Sequence, residues 1–587
     1  MVKQLMKSIR EFKLATILTP TFVVGEVIIE ALIPFLISLL INDIKAGCNL
    51  SVILGYAWKL VILSLLSLLC GYLAGIYCAE ASTGFAKNLR YDVFSNIQKF
   101  SFSNIDKFSS ASLVTRLTTD IQNVQIAFMM IIRTAVRAPL NLIFSFAMAY
   151  IMGGSMAVIF LIIIPFLGIG LYLIVRTVMP VFKKGFPLFD KITRIVEENV
   201  KGIRVVKSFV REDYEIEKFD ETSNDIRKMF TRAEQIIALN NPLMQISIYA
   251  VMLFVLMFGS EMIIKTNATS LDVGQLSTLM TYGFQIMVSL MMLSMVFVMI
   301  TFSEESSKRI VEVLNEKSSI TSKENAITEV KDGCIDFDHV RFKYSPTAER
   351  PVLENIDVHI KSGETIGIIG GTGSAKSSFV QLIPRLYDVT EGTVRVGKED
   401  VRDYDLVTLR DSVAMVLQKN VLFSGTIADN IRWGNKDATL EEVKHVCHLA
   451  CADEFIEQMP DGYDTWIEQG GTNVSGGQKQ RLCIARALLK QPKILIMDDS
   501  TSAVDTKTDA IIRKAMKEYI PETTKIIIAQ RTSSVEDADR IIVLDGGKID
   551  AIGTSEELLK TNQIYREVYL SQNKQGTEEI VEEGGVR

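Results

Sequence analysis

Apolar and polar positions are spread very unevenly along this chain of 587 residues. Its first half holds long apolar runs separated by charged stretches. From residue 327 on, short apolar runs alternate with turns and with charged segments of helical periodicity. A helix that crosses a bilayer needs roughly 20 mainly apolar residues, because its backbone must satisfy its own hydrogen bonds in hydrocarbon. Six runs qualify, at 14–41, 51–78, 135–152, 156–179, 246–264 and 276–301. The first is too long for a cleavable signal peptide and lacks a small-residue cleavage site, so it is expected to stay as a span. The second-to-third and fourth-to-fifth connections are about fifty residues each, too long for passive loops. In "FDKITRIVEENVKGIRVVKSFVREDYEIEKF" apolar residues recur every three or four positions, which predicts helices that continue past the bilayer. Tips at "SFSNIDKFSS" and "VREDYEIEKF" would suit contact with a soluble domain.

Positive charge orients the spans. Lys3, Lys7, Arg10 and Lys13 precede the first, and the two long connections carry Lys87, Arg90, Lys99, Lys183, Lys184, Arg194 and Lys201 among others. Short connections such as "NDIKAGCNL" and "GGS" carry little charge. Both long connections and both termini are therefore expected in the cytoplasm. Composition agrees with a membrane half joined to a soluble half: 48% hydrophobic, 22% charged, mean hydropathy +0.24. The net charge of −6 gives no reason to expect a nucleic-acid partner. Seven cysteines form no CxxC pair and have no histidine cluster beside them, which favours buried thiols over a metal site.

Two features inside the apolar half carry polar or adaptable chemistry. Glu26 and Glu30 lie one turn apart on one face of the first span. Carboxylates at that depth line a water-filled cavity that receives substrate, or else bond between helices. The sixth span is rich in methionine, including Met287, Met291 and Met295. Such side chains suit a promiscuous substrate surface and are also ordinary membrane filler.

The key segment of the second half is the strand pattern "TIGIIG", which runs into the small-residue stretch Gly370, Gly371, Thr372, Gly373, Ser374, Ala375 and then Lys376, Ser377 and Ser378. Backbone N–H groups of such a loop, followed by a helix N-terminus, cradle phosphates. Lys376 would reach the terminal phosphates and the Ser377 hydroxyl would ligate Mg2+. The phosphate-loop pattern has Gly before the Lys; here Ala375 stands there, and its methyl is expected to crowd the phosphate. Upstream, "VRFKYSP" offers Tyr344 for an adenine ring. Downstream come Gln418 after the strand "VAMVLQ", then Ser475, Gly476, Gly477 and Gln478 at a helix start in "NVSGGQKQRLCIARALL". Then follow Asp498 and Asp499 in "ILIMDD", and a strand "TKIIIAQ" ending at Gln530.

This order and spacing resembles the nucleotide-binding domain of an ABC transporter, and with six spans ahead of it the chain resembles an ABC exporter half-transporter over nearly its whole length. The resemblance implies a multi-domain fold: an α-helical transmembrane bundle of six spans with long cytosolic extensions (1–320), followed by an α/β P-loop ATPase domain (327–572). An acidic tail at 573–587 is expected to be disordered. It implies ATP and Mg2+ as cofactors, with Tyr344 on the adenine and residues 370–378 around the phosphates. Ser377, Gln418 and Asp498 would hold the metal, partly through water. Ser475 to Gln478 would act on ATP bound by an opposite subunit, and Asp505 would bridge the two sites.

Asp499 stands where the family has a catalytic Glu, and Gln530 where it has a switch His. A carboxylate shortened by one methylene moves by about 1.5 Å, and a misplacement of about 1 Å costs on the order of 10² in rate. The expectation is therefore a degenerate ATP site that binds but scarcely hydrolyses, as in one subunit of heterodimeric bacterial multidrug exporters. Its partners would be a second half-transporter, the lipid bilayer of a bacterial cell membrane and an amphipathic small-molecule export substrate. The rival readings are a slow homodimeric exporter and a non-pumping ATP-gated channel or sensor.

Overall fold

The computed structural model describes residues 1–266, 270–345, 347–499 and 504–572. The tail at 573–587 lies outside the described residues. The chain forms two compact units: Met1–Gln98 with Phe108–Glu316, and Lys99–Lys107 with the chain from Lys317 on.

The first unit is helical. Its spans are α1 (Lys13–Lys45), α2 (Leu50–Ile97), α3 (Thr134–Gly153), α4 (Val158–Lys201), α5 (Asn240–Lys265) and α6 (Val273–Asn315). Each carries one of the six apolar runs. Helix runs on almost unbroken from Ser110 to Val181, and the break between α3 and α4 falls at Gly154, with φ +51° and ψ −119°. That conformation is readily open only to glycine. At 48 and 44 residues, α2 and α4 far exceed the roughly 20 needed to span, so the long connections do continue as helix. Beyond α4 come Ile203–Ser208 and Glu212–Ala238, with Phe209 and Val210 strongly exposed between them.

Apolar side chains point both inward and outward, as they must in lipid. Phe160, Val251, Tyr282, Ile286 and Met287 form one core cluster, while Leu68, Ile162 and Leu253 are more than 60% exposed. Close packing and hydrogen bonds, rather than hydrophobicity, hold such helices together. The Tyr282 hydroxyl donates to the Ala31 carbonyl at 2.6 Å and the Thr278 hydroxyl to the Pro34 carbonyl at 3.0 Å. A Cβ at Gly274 would lie 2.3 Å from the Ser38 carbonyl, so only glycine lets α6 approach α1 this closely.

The second unit is α/β. Strands β1 (Ile335–Phe342), β2 (Leu353–Ile360) and β4 (Glu391–Val396) build an antiparallel sheet with the short strand Glu399–Asp400. A six-stranded sheet runs in the order β9 (Lys548–Gly553), β8 (Arg540–Asp545), β3 (Thr365–Ile369), β7 (Thr524–Ile528), β6 (Ile494–Asp498), β5 (Val413–Val416). Its strands β3, β5, β6, β7 and β8 are parallel, and the β6 pattern is buried at every position, as expected of a strand covered on both faces. A core cluster including Ile335, Val340, Ile366, Phe379 and Ile496 draws on both sheets. The segment Lys99–Lys107 groups with this unit: the Tyr387 hydroxyl donates to Asp106 at 3.0 Å, and the Ser101 and Ser319 hydroxyls lie 2.7 Å apart.

Candidate functional site

In a parallel sheet, the loops at the carboxyl ends of adjacent strands converge, and ligands bind there. Here β7 lies between β3 and β6, with Ile528 paired to both Ile368 and Asp498. The loop at 370–375, the pair Asp498 and Asp499, and Gln530 therefore leave the same end of the sheet side by side. The strand before Gln530 stops at Ile528, two residues earlier than the apolar pattern suggested, so Gln530 stands in the turn beyond it.

The phosphate loop has the geometry its composition implies. A Cβ at Gly371 or Gly373 would meet nothing within 4 Å, which leaves the inner face of the loop open, and Gly373 has φ +84°. Gly370 is different: a Cβ there would stand 2.2 Å from the Leu544 carbonyl and 2.6 Å from Ser374 Oγ. Lys376, at the start of the helix α7 (Lys376–Gln381), donates to the Gly370 and Gly371 carbonyls at 2.8 and 2.9 Å and to Ser374 Oγ at 3.3 Å. A cation is thus held at the loop mouth. Burial lowers its pKa, and the Asp498 and Asp499 carboxylates oppose that shift.

Ala375 has φ +71°, a left-handed conformation that costs a non-glycine residue about 1–2 kcal/mol. It packs against the apolar core, so its measurable cost falls on the backbone. Gly370→Ala is expected to be far worse, because the Leu544 backbone and the Ser374 side chain must both shift. ATP affinity should fall by at least about tenfold in a direct binding assay, and unchanged affinity would show that the loop tolerates the shift.

The buried Asp498 lies beside the Ser377 hydroxyl, which favours its ionised form. Two oxygen donors of this kind fit a hard divalent cation such as Mg2+. Asp499, also buried, sits at φ +48°, and its backbone N–H is held by the Ile528 carbonyl at 2.9 Å. Its Oδ2 accepts from Gln530 Nε2 at 2.8 Å and, more weakly, from Gln418 Nε2 at 3.5 Å. Burial pushes both carboxyls up from the usual range. The Ser377 hydroxyl opposes this at Asp498, and the two glutamine amides oppose it at Asp499.

Tyr344 is 44% exposed. Its hydroxyl lies 2.8 Å from Ser378 Oγ, and its ring meets Tyr387 edge-on at 5.0 Å. Thr372 is exposed. Ser475 caps the helix α8 (Gly476–Leu489): its Oγ accepts from the Gln478 N–H at 3.3 Å and its own N–H donates to Gln478 Oε1 at 2.8 Å. Ser475 and Gly476 are exposed, with Gly477 and Gln478 half-buried, so the positive end of this helix faces outward. Asp505 caps the helix α9 (Thr506–Tyr519) through the Thr508 N–H at 3.0 Å.

In the membrane half, Glu26 and Glu30 meet a residue that the sequence reading passed over. Arg137 of α3 donates to Glu26 Oε1 at 3.0 Å and to both Glu30 oxygens at 2.7 and 3.0 Å. A Cβ at Gly71 of α2 would lie 2.9 Å from Glu26 Oε1, so three helices shape this site. The available signal was an arginine inside the third apolar run. Met287 is fully buried in the helix core and offers a substrate no surface, contrary to its expected role; Met291 is half-buried and Met295 55% exposed. Five cysteines are buried as expected, while Cys48 and Cys70 are only partly covered.

A helical membrane unit followed by an α/β domain whose phosphate loop, Asp498, Asp499 and Gln530 share one end of the parallel strands is the arrangement of a transporter driven by ATP. Residues 16–291 match the ABC transporter transmembrane region and residues 353–502 the ABC transporter domain. YfiB of Bacillus subtilis, described as an uncharacterized ABC transporter ATP-binding protein, is 34% identical over 94% of this chain and 96% of its own. An ATP-dependent lipid A-core flippase of Desulfotalea psychrophila is 31% identical over 85% of this chain and 87% of its own. A solved bacterial Atm1-family ABC exporter with ATP bound shares the fold, with a TM-score of 0.82 at 24% identity, covering 96% of this chain and 98% of that one. The chain belongs to the ABC transporter family and has the exporter arrangement, with the membrane unit fused ahead of the ATPase domain.

Proposed function

We propose that this chain is one half of a heterodimeric exporter of amphipathic small molecules in a bacterial cell membrane, with both termini cytoplasmic. In this reading the site on its own phosphate loop binds Mg-ATP but turns it over poorly. The observation that carries the reading is the 2.8 Å hydrogen bond from Gln530 Nε2 to Asp499 Oδ2. A general base must be free to take a proton from water and within reach of it. Here the carboxylate is short by one methylene, and an amide that donates and cannot relay a proton occupies the oxygen it would use. Mg2+, held by Ser377, Asp498 and Gln418, would neutralise phosphate charge when bound. The outward-facing start of α8 then serves a partner's ATP rather than this chain's own, and the exposed Phe209 and Val210 suit contact with that partner.

Expression of the chain with its neighbouring genes should yield a complex with a second half-transporter that has Glu after its own metal-binding Asp. A fully active preparation containing this chain alone would overturn the heterodimer.

A further inference from the structure

The last described turn of the chain reaches the switch position. Gln572, at the end of the helix α10 (Gln563–Gln572), donates from Nε2 to the Gln530 carbonyl at 2.8 Å. Its Oε1 accepts from the Thr532 backbone N–H at 2.9 Å and from the Thr532 hydroxyl at 3.2 Å. One side-chain amide thus grips the backbone on both sides of Arg531, in the turn that leaves β7. The Gln530 side chain in turn holds the Asp499 carboxylate at 2.8 Å. A continuous set of hydrogen bonds therefore runs from the C-terminal helix to the residue after the metal-binding aspartate.

The body of α10 is firmly seated. Tyr565 is fully buried, its hydroxyl 2.8 Å from Ser555 Oγ, in a cluster that includes Ile369, Ile527, Ala529 and Val535. Ile369 ends the strand that feeds the phosphate loop, and Ile527 and Ala529 flank the end of β7. Arg566 ties the helix to the Leu559 and Lys560 carbonyls at 2.7 and 2.6 Å. Gln572 itself is exposed. The anchor is rigid and the grip lies at the surface, so the grip can release while the helix stays docked.

We propose that Gln572 is a positioning residue for the nucleotide site: its amide clamps the switch turn and thereby keeps Gln530 engaged with Asp499, and letting go of the last turn of α10 frees that carboxylate. The clamp acts whether or not this site hydrolyses ATP, so it stands apart from the degenerate-site reading.

The test uses the full chain, purified in lipid nanodiscs in the assembly it forms. Hydrogen–deuterium exchange is followed in peptides covering 529–535 and the end of β6, together with the release rate of a fluorescent ATP analogue loaded with Mg2+. Each lost hydrogen bond shifts an opening equilibrium by roughly two- to tenfold. Gln572→Ala should therefore speed exchange at Thr532 by about tenfold and change nucleotide release by a few-fold, leaving protection in β3 and the melting temperature unaltered. Gln572→Glu keeps the acceptor for Thr532 but loses the donor for Gln530, and should fall between. Unchanged exchange at Thr532 would overturn the proposal. So would faster exchange there with no change at the end of β6 or in nucleotide release, because Gln572 would then be a local strut. Loss of protection across the whole sheet would also overturn it, since the residue would then serve general stability.

Discussion

Ser475→Ala is expected to cut the ATPase rate of the assembled transporter by about 10²–10³, the usual effect of losing one donor to transition-state charge. Under the proposed function, Asp499→Ala and Gln530→Ala should cost only a few-fold, because the partner's site would carry the turnover. Ser475 also caps α8 through Gln478, and losing an N-cap costs about 1 kcal/mol of stability. Ser475→Asp separates the two effects: it keeps a capping side chain but sets negative charge where phosphate must lie. Gly477→Asp is a second variant that leaves the cap untouched. Loss of ATPase in all three, with melting temperatures held in Ser475→Asp and Gly477→Asp, is the outcome the proposed function requires. A silent Asp499→Ala beside an active Ser475→Ala would reverse the assignment and make Asp499 a true catalytic base.

Arg137→Leu should destabilise the membrane unit by about 3 kcal/mol, since removing one partner of a buried ion pair leaves uncompensated charge. Two carboxylates would be stranded, with side chains only 9% and 28% exposed at Glu26 and Glu30. The check is thermal unfolding of the purified protein together with its yield from the membrane. Converting Glu26, Glu30 and Arg137 all to Gln should recover most of the loss, because no buried charge is then left without its partner. Glu30→Gln alone leaves Arg137 paired with Glu26, so it should be mild in stability. An Arg137→Leu protein of normal stability with altered substrate preference would instead make the triad a substrate contact rather than an inter-helix lock.

Local pattern carried most of the architecture. Apolar run length placed six spans, because a backbone in hydrocarbon has few alternatives to a helix about 20 residues long. The loop at 370–375 and the helix start at Lys376 were legible because their requirements are local: small residues, then a lysine opening a helix. Ser475 to Gln478 was legible for the same reason, its capping box closing within three residues. The end of β7 was misjudged by two residues, since the apolar run continues through Ala529, beyond the point where pairing with β3 and β6 stops, and Gln530 follows it directly.

The sequence alone determined the class of the chain and the order of its two halves, and it singled out the candidate groups for the nucleotide site, including the Asp and Gln that depart from the family pattern. Tertiary structure alone decided what those groups touch. Arg137 meets Glu26 and Glu30 across more than a hundred residues of chain, Gln530 meets Asp499 across 31, and Gln572 meets Gln530 across 42. Periodicity and spacing report forces that act within a helical turn or a strand. Contacts at such separations depend on which helix faces and strand edges pack together, and that is fixed only once the whole core has formed.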